Sequence, residues 1–165
     1  MAYLLRQARQ SVWTGDANVD DDRRRNAQAS FARRPEDTDG ISVYHVESDA
    51  QSLLVVATLA CAKMEDGKLD LLRLEDNEVS RFGVMTPVLG TTPVRSANSL
   101  HGVLDWMPEA LAQLVELLLA AARRSQRYNP RAVRDAVVAL REDDVEPGEH
   151  RDWVLRLKAT HQPTT

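Results

Sequence analysis

The stretch from Trp106 to Arg141 constrains the fold more than any other part of this chain. Leu111, Leu114, Val115, Leu118, Leu119 and Ala122 recur at helical spacing, and Val133, Ala136, Val137 and Leu140 repeat the pattern. An amphipathic helix is stable mainly because its apolar stripe is buried against something else. The spacing predicts helices over 107–125 and 130–142. Pro108 falls in the first turn of one, and Asn129-Pro130 supplies an N-cap and a first-turn proline for the other. The polar break between them predicts a helical hairpin near the C-terminus, an anchor for the fold that carries no chemistry.

What the hairpin covers must come from earlier in the chain. Ile41-Ser42-Val43-Tyr44-His45-Val46 alternates, with Ile41, Val43 and His45 on one face and Ser42, Tyr44 and Val46 on the other. Segments 69–74, 82–88 and 100–105 also read as strands, and Pro87 places the third of these four segments at a sheet edge or ends it early. Ser48 with Gln51 matches a capping box, so 49–63 reads as a buried helix. Val55, Val56 and Thr58 are β-branched and keep a strand open there. Residues 1–12 read as a short helix through Leu4, Leu5, Ala8 and Val12, and Trp153, Leu155 and Leu157 as a final strand or packing segment. The expected fold is α+β: a small, mostly antiparallel sheet of about four strands, with two or three helices on one face.

Between these elements lies a contrasting segment. Residues 14–40 are rich in Asp and Arg, with Val19 and Phe31 the large apolar residues, and read as a long polar surface excursion. The last residues, 159–165, read as a frayed tail, and 1–165 as a single domain, since 165 residues suffice for one core.

Composition narrows the function classes. A net charge of −4 gives no global attraction to nucleic acid or to an anionic membrane. The longest apolar run, Leu53 to Ala62, is too short to span a bilayer, and the N-terminus lacks the apolar core of a secretory signal. A cytoplasmic location is expected, with no membrane partner. The one cysteine, Cys61, sits in that apolar run, so structural burial is expected rather than nucleophilic use. Arginine outnumbers lysine, 18 to 3, a bias that suggests a GC-rich bacterial genome.

No G-x-S-x-G, H-E-x-x-H, G-x-G-x-x-G or G-x-x-x-x-G-K pattern is present. Asp16, Asn18, Asp20 and Asp22 resemble the opening of a calcium loop, but Asp21 stands where the turn glycine belongs and Ala27 where the closing glutamate belongs. No metal and no cofactor is expected. The catalytic candidates are His45, His101 and Asp105. His101 and Asp105 share a strand face but lie about 13 Å apart at the rise of a strand, and His45 joins them only if its strand is a neighbour. Candidates for binding a partner are Arg23, Arg24, Arg25, Arg33 and Arg34 in the polar excursion, and Arg127, Tyr128 and Arg131 near the hairpin turn. Basic side chains beside an aromatic can hold phosphates and stack a base, although Asp135 and the acidic run from Glu142 offset them.

Leu4-Leu5-Arg6-Gln7, the run Arg34-Pro35-Glu36-Asp37-Thr38-Asp39-Gly40 before Ile41-Ser42-Val43-Tyr44, and Ser99-Leu100-His101-Gly102-Val103 together resemble a family of small bacterial proteins. Those proteins open with a similar Leu-Arg-Gln element and carry an acidic turn before a Ser-Val-Tyr strand, then a later His-containing strand. The resemblance covers about the first two-thirds of the chain. It implies no particular activity, and Ala8-Arg9 stands where a His-Pro pair is expected. The function expected is that of an accessory protein acting through another protein, immunity- or antitoxin-like and non-enzymatic. The alternative is a small enzyme using His45, His101 and Asp105, and nucleic-acid binding through the arginine-rich hairpin is third.

Overall fold

A computed structural model describes residues 2–7, 25, 41–88, 92–106, 110–122 and 125–161. The excursion at 14–40 (Arg25 alone excepted, an exposed side chain), the calcium-like run 16–22 and residues 162–165 of the tail lie outside the described residues.

The fold is α+β, with a larger sheet than the expected one. Strands β1 (Tyr3–Gln7), β2 (Ile41–Val46), β3 (Leu69–Glu75), β4 (Gly83–Pro87), β5 (His101–Trp106) and β6 (Gln126–Tyr128) form one sheet in the order β4-β5-β2-β1-β3-β6. Every pairing is antiparallel. Helices α1 (Asp49–Lys63), α2 (Asp76–Val79), α3 (Leu111–Ala122), α4 (Pro130–Val138) and α5 (Glu149–Thr160) lie on both of its faces rather than on one.

The opening strand corrects the helix expected at 1–12 over Tyr3–Gln7, while residues 8–12, with Ala8 and Val12, lie outside the described residues. β1 lies at the middle of the sheet, between β2 and β3. Tyr3 and Leu5 join the core under α1, while Leu4 joins the core on the opposite face, and all three are at most 3% exposed. A strand buried on both faces loses the apolar–polar alternation that would have marked it.

The helical hairpin is corrected too. Its two stripes are buried, but against opposite faces of the sheet. Leu114, Val115, Leu118 and Ala122 of α3 pack with Leu4, Val43, Leu72, Leu104 and Trp106. Val133, Ala136 and Val137 of α4 pack with α1 and with Tyr3, Leu5, Leu69 and Leu71. Between them the chain crosses the sheet edge as β6, three polar residues paired with Leu69–Leu71. The segment holding Trp153 and Leu157 is the helix α5, not a strand, and Val154 is its fully buried anchor.

The alternative left open at 49–63 resolves as a helix. The Ser48 hydroxyl accepts from the Gln51 amide at 3.3 Å, and Gln51 Oε1 accepts from the Glu47 amide at 2.6 Å. Thr58 Oγ1 donates to the Leu54 carbonyl at 2.7 Å, which satisfies a hydroxyl inside the core. Pro87 does mark an edge: among the described residues β4 pairs with β5 alone. The two strands sit close because Gly102 carries no side chain. A Cβ there would meet the Thr86 carbonyl oxygen at 2.9 Å.

The approach to β5 is clasped from the C-terminal side. Val94 and Val145 form a bridge, the Glu146 amide donates to the Pro93 carbonyl at 2.9 Å, and Arg95 Nε donates to Glu146 Oε1 at 2.9 Å. The Asp144 carboxylate accepts from both the amide and the hydroxyl of Ser96. Thr92, 7% exposed, holds its hydroxyl within 2.8 Å of Asn98 Oδ1 and 2.7 Å of the Val94 carbonyl, two acceptors that share its one proton. These contacts fix the short turn at 95–99 and with it the start of β5 at His101.

Candidate functional site

Register decides what the three catalytic candidates can do together. β2 and β5 are neighbours, as a meeting of His45 and His101 requires, and Tyr44 stands opposite His101. Alternation then puts His45 on the other face, where its partner across the β1 pairing is the core residue Leu4. His101 and Asp105 lie on the face that carries α1, and His45 on the face that carries α3. The three therefore do not line one cleft. His101 is half-buried and Asp105 exposed.

The side chain that does reach His101 is Ser42. Ser42 and Tyr44 share a face of β2, and Ser42 stands opposite Val103, the next residue on the His101 face of β5. The diagonal brings Ser42 Oγ to 2.7 Å from His101 Nε2. The Tyr44 ring packs on the imidazole, centroids 5.1 Å apart and planes tilted by 47°. Burial lowers the His101 pKa from its ordinary value and pushes the Tyr44 phenol up to about 12. At neutral pH the imidazole is therefore uncharged and the phenol protonated. Arg6 at the end of β1 donates from Nη1 to the Ser42 carbonyl at 3.2 Å. The sequence reading placed Ser42 and Tyr44 on one face and His101 on another strand. It had no signal for the pairing that joins them.

This corner is an open part of the sheet. Tyr44 and Val46 are covered by the α1 layer, but farther along the same face Ser42, Val84, Thr86 and Asp105 are exposed and Val103 is half-buried. Val84 is 71% exposed, the highest value among the exposed large apolar side chains of the described residues.

The arginine-rich segment is balanced by carboxylates. Arg127 Nε lies 2.8 Å from Asp70 Oδ1, Arg134 Nε 2.7 Å from Asp66 Oδ2, and Arg141 Nη2 2.7 Å from Asp143 Oδ2, with Arg131 4.0 Å from Asp135. Tyr128 points to the opposite sheet face from Arg127, packs against the α1 core and donates its hydroxyl to Gln126 Oε1 at 3.0 Å. The Arg127–Tyr128 pair is thus split between two faces, which separates the cation that was to hold a phosphate from the ring that was to stack a base. Arg23, Arg24, Arg33 and Arg34 lie outside the described residues.

Cys61 is fully buried, and desolvation pushes its thiol pKa up to about 11. Its carbonyl oxygen lies 3.0 Å from His150 Nδ1, a contact that ties α5 to α1. Among the described residues no three His, Cys, Asp or Glu side chains gather closely enough to hold a metal ion. Nor, among them, is any helix long and apolar enough to cross a membrane. A cleft between the end of α1 and the start of β3, lined by Gln7, Leu59, Lys63, Lys68, Leu69 and Val133 among others, includes none of the three catalytic candidates. Comparison with protein-family models, curated proteins and solved structures finds no match to this chain.

Proposed function

We propose that this protein works by binding another protein, and that the β4 edge receives an extended strand of that partner. One observation carries the reading: among the described residues β4, Gly83-Val84-Met85-Thr86-Pro87, pairs with β5 alone, holds no charged residue and leaves Val84 mostly in solvent. Sheet edges are usually protected by charges, bulges or covering segments, because unpaired backbone groups accept any strand that arrives. Here Pro87 interrupts the last position alone. A strand added beside β4 would extend the hydrogen-bonded ladder, and its apolar side chains would pack beside Val84 on the open face.

The test is affinity capture from native lysate with the wild-type chain and with Val84→Lys and Thr86→Lys, two exposed β4 side chains changed to edge-protecting charges, each checked by circular dichroism and melting temperature. The expected result is a captured protein that cross-links to β4 and is lost from both variants while their folds persist. Recovery unchanged in the variants, or no captured protein at all, overturns the proposal.

A further inference from the structure

The contact between Ser42 and His101 goes beyond an interaction surface and does not depend on one. We propose that Ser42 and His101 form a nucleophile and base that transfer acyl groups from small carboxylic esters. Both residues stand on strands in the six-stranded sheet, so their relative position is set by backbone register rather than by a loop. The Oγ–Nε2 separation of 2.7 Å lies within the range for direct proton transfer. With the ring proton on Nδ1, Nε2 accepts from the serine hydroxyl. The packed ring of Tyr44 holds the imidazole in place, and burial keeps it uncharged, the form a base needs.

Access and substrate size follow from the surroundings. Ser42 is exposed on the open half of the sheet, beside the half-buried Val103. Such an open surface gives a substrate little to hold, so small acyl groups and slow turnover are expected. In the reaction the Ser42 oxygen bonds to the ester carbonyl carbon while its proton passes to His101 Nε2. The carbon–oxygen bond to the leaving alkoxide then breaks, and the alkoxide takes that proton from Nε2. Water repeats the sequence on the acyl-serine, releasing the carboxylic acid and restoring the hydroxyl.

A cross-strand hydrogen bond that merely ties β2 to β5 would show the same distance but form no covalent adduct. The full chain is therefore treated with a fluorophosphonate probe, the adduct mapped by tandem mass spectrometry, and hydrolysis of p-nitrophenyl acetate followed in parallel. The expected result is an adduct on Ser42 that disappears in Ser42→Ala. In His101→Gln its rate of formation falls about 100-fold, the usual loss for a missing general base. The rate rises with pH through a midpoint below the usual histidine range. His45→Gln, altered on the opposite face, keeps the wild-type rate. Wild-type chain that takes no label on Ser42 overturns the proposal whatever the variants do. An unchanged labelling rate in a folded His101→Gln overturns it too.

Discussion

At the residue scale, strand register sets the surroundings of His101: Tyr44 stands directly opposite it, and the diagonal brings Ser42 Oγ to 2.7 Å from its Nε2. The reading of 41–46 separated Ser42 and Tyr44 from His45, and the structure keeps that separation. It could not show that Tyr44 would stand opposite His101, because register depends on contacts far apart in sequence. One neighbour changed the candidate site: His101 has Ser42 within hydrogen-bonding distance, and His45 on the far face. The environment of His101 has a consequence for stability. Its pKa is lowered by burial in the folded chain, so below the ordinary histidine pKa the unfolded chain binds more protons than the folded one. The stabilisation from keeping the imidazole neutral is present above about pH 6.5, the unperturbed histidine value, and is lost as pH falls toward the folded pKa. Urea denaturation from pH 7.5 to 5 should show stability falling over that window, with a shallower fall in His101→Gln. The same slope in both chains would assign the acid loss to other groups.

At the element scale, local signals that involve neighbouring residues served well. The Ser48–Gln51 pattern and the Asn129-Pro130 restart both cap helices as expected, and Asn129 Oδ1 accepts from the Ala132 amide at 2.8 Å. Signals that depend on what lies across the gap were weaker. The apolar triplet Tyr3-Leu4-Leu5 suits a helix or a doubly buried strand, and only the strands on either side decide between them. The polar turn after Ala122 contained β6, too short at three residues for any periodicity to register. Amphipathic stripes show that a helix is buried and say nothing about which face of a sheet buries it. The Asn129 cap supplies the prediction at this scale. Asn129→Ala leaves an unsatisfied amide in the first turn of α4 and should cost about 1 kcal/mol, with Asn129→Asp keeping most of the stability. Chemical denaturation midpoints measure both; equal stability of all three chains would mean that the Asn129 side-chain cap contributes nothing to the fold.

At the scale of the whole molecule, the sheet is the wall shared by two apolar layers. One layer holds α1, α4 and α5 with Tyr3, Leu5, Leu69 and Leu71; the other holds α3 with Leu4, Leu72, Leu74 and Trp106. Consecutive residues of β1 and β3 feed opposite layers, Leu4 against Leu5 and Leu71 against Leu72, each of them at most 1% exposed. Neither layer can lose its sheet face without exposing the other, so the two must unfold together. Tryptophan fluorescence separates the layers: Trp106 is 7% exposed within the α3 layer, and Trp153 packs against the α1 layer. Single-tryptophan chains, with the remaining tryptophans replaced by Phe, should give superimposable urea transitions. Leu118→Ala empties a fully buried position in the α3 layer, and should lower stability by roughly 2–5 kcal/mol, the usual cost of such a cavity. That loss should shift the Trp153 transition as far as the Trp106 transition, although Leu118 packs in the opposite layer. A Trp153 transition left in place would show that the layers unfold separately, and that the sheet between them does not couple the two sides.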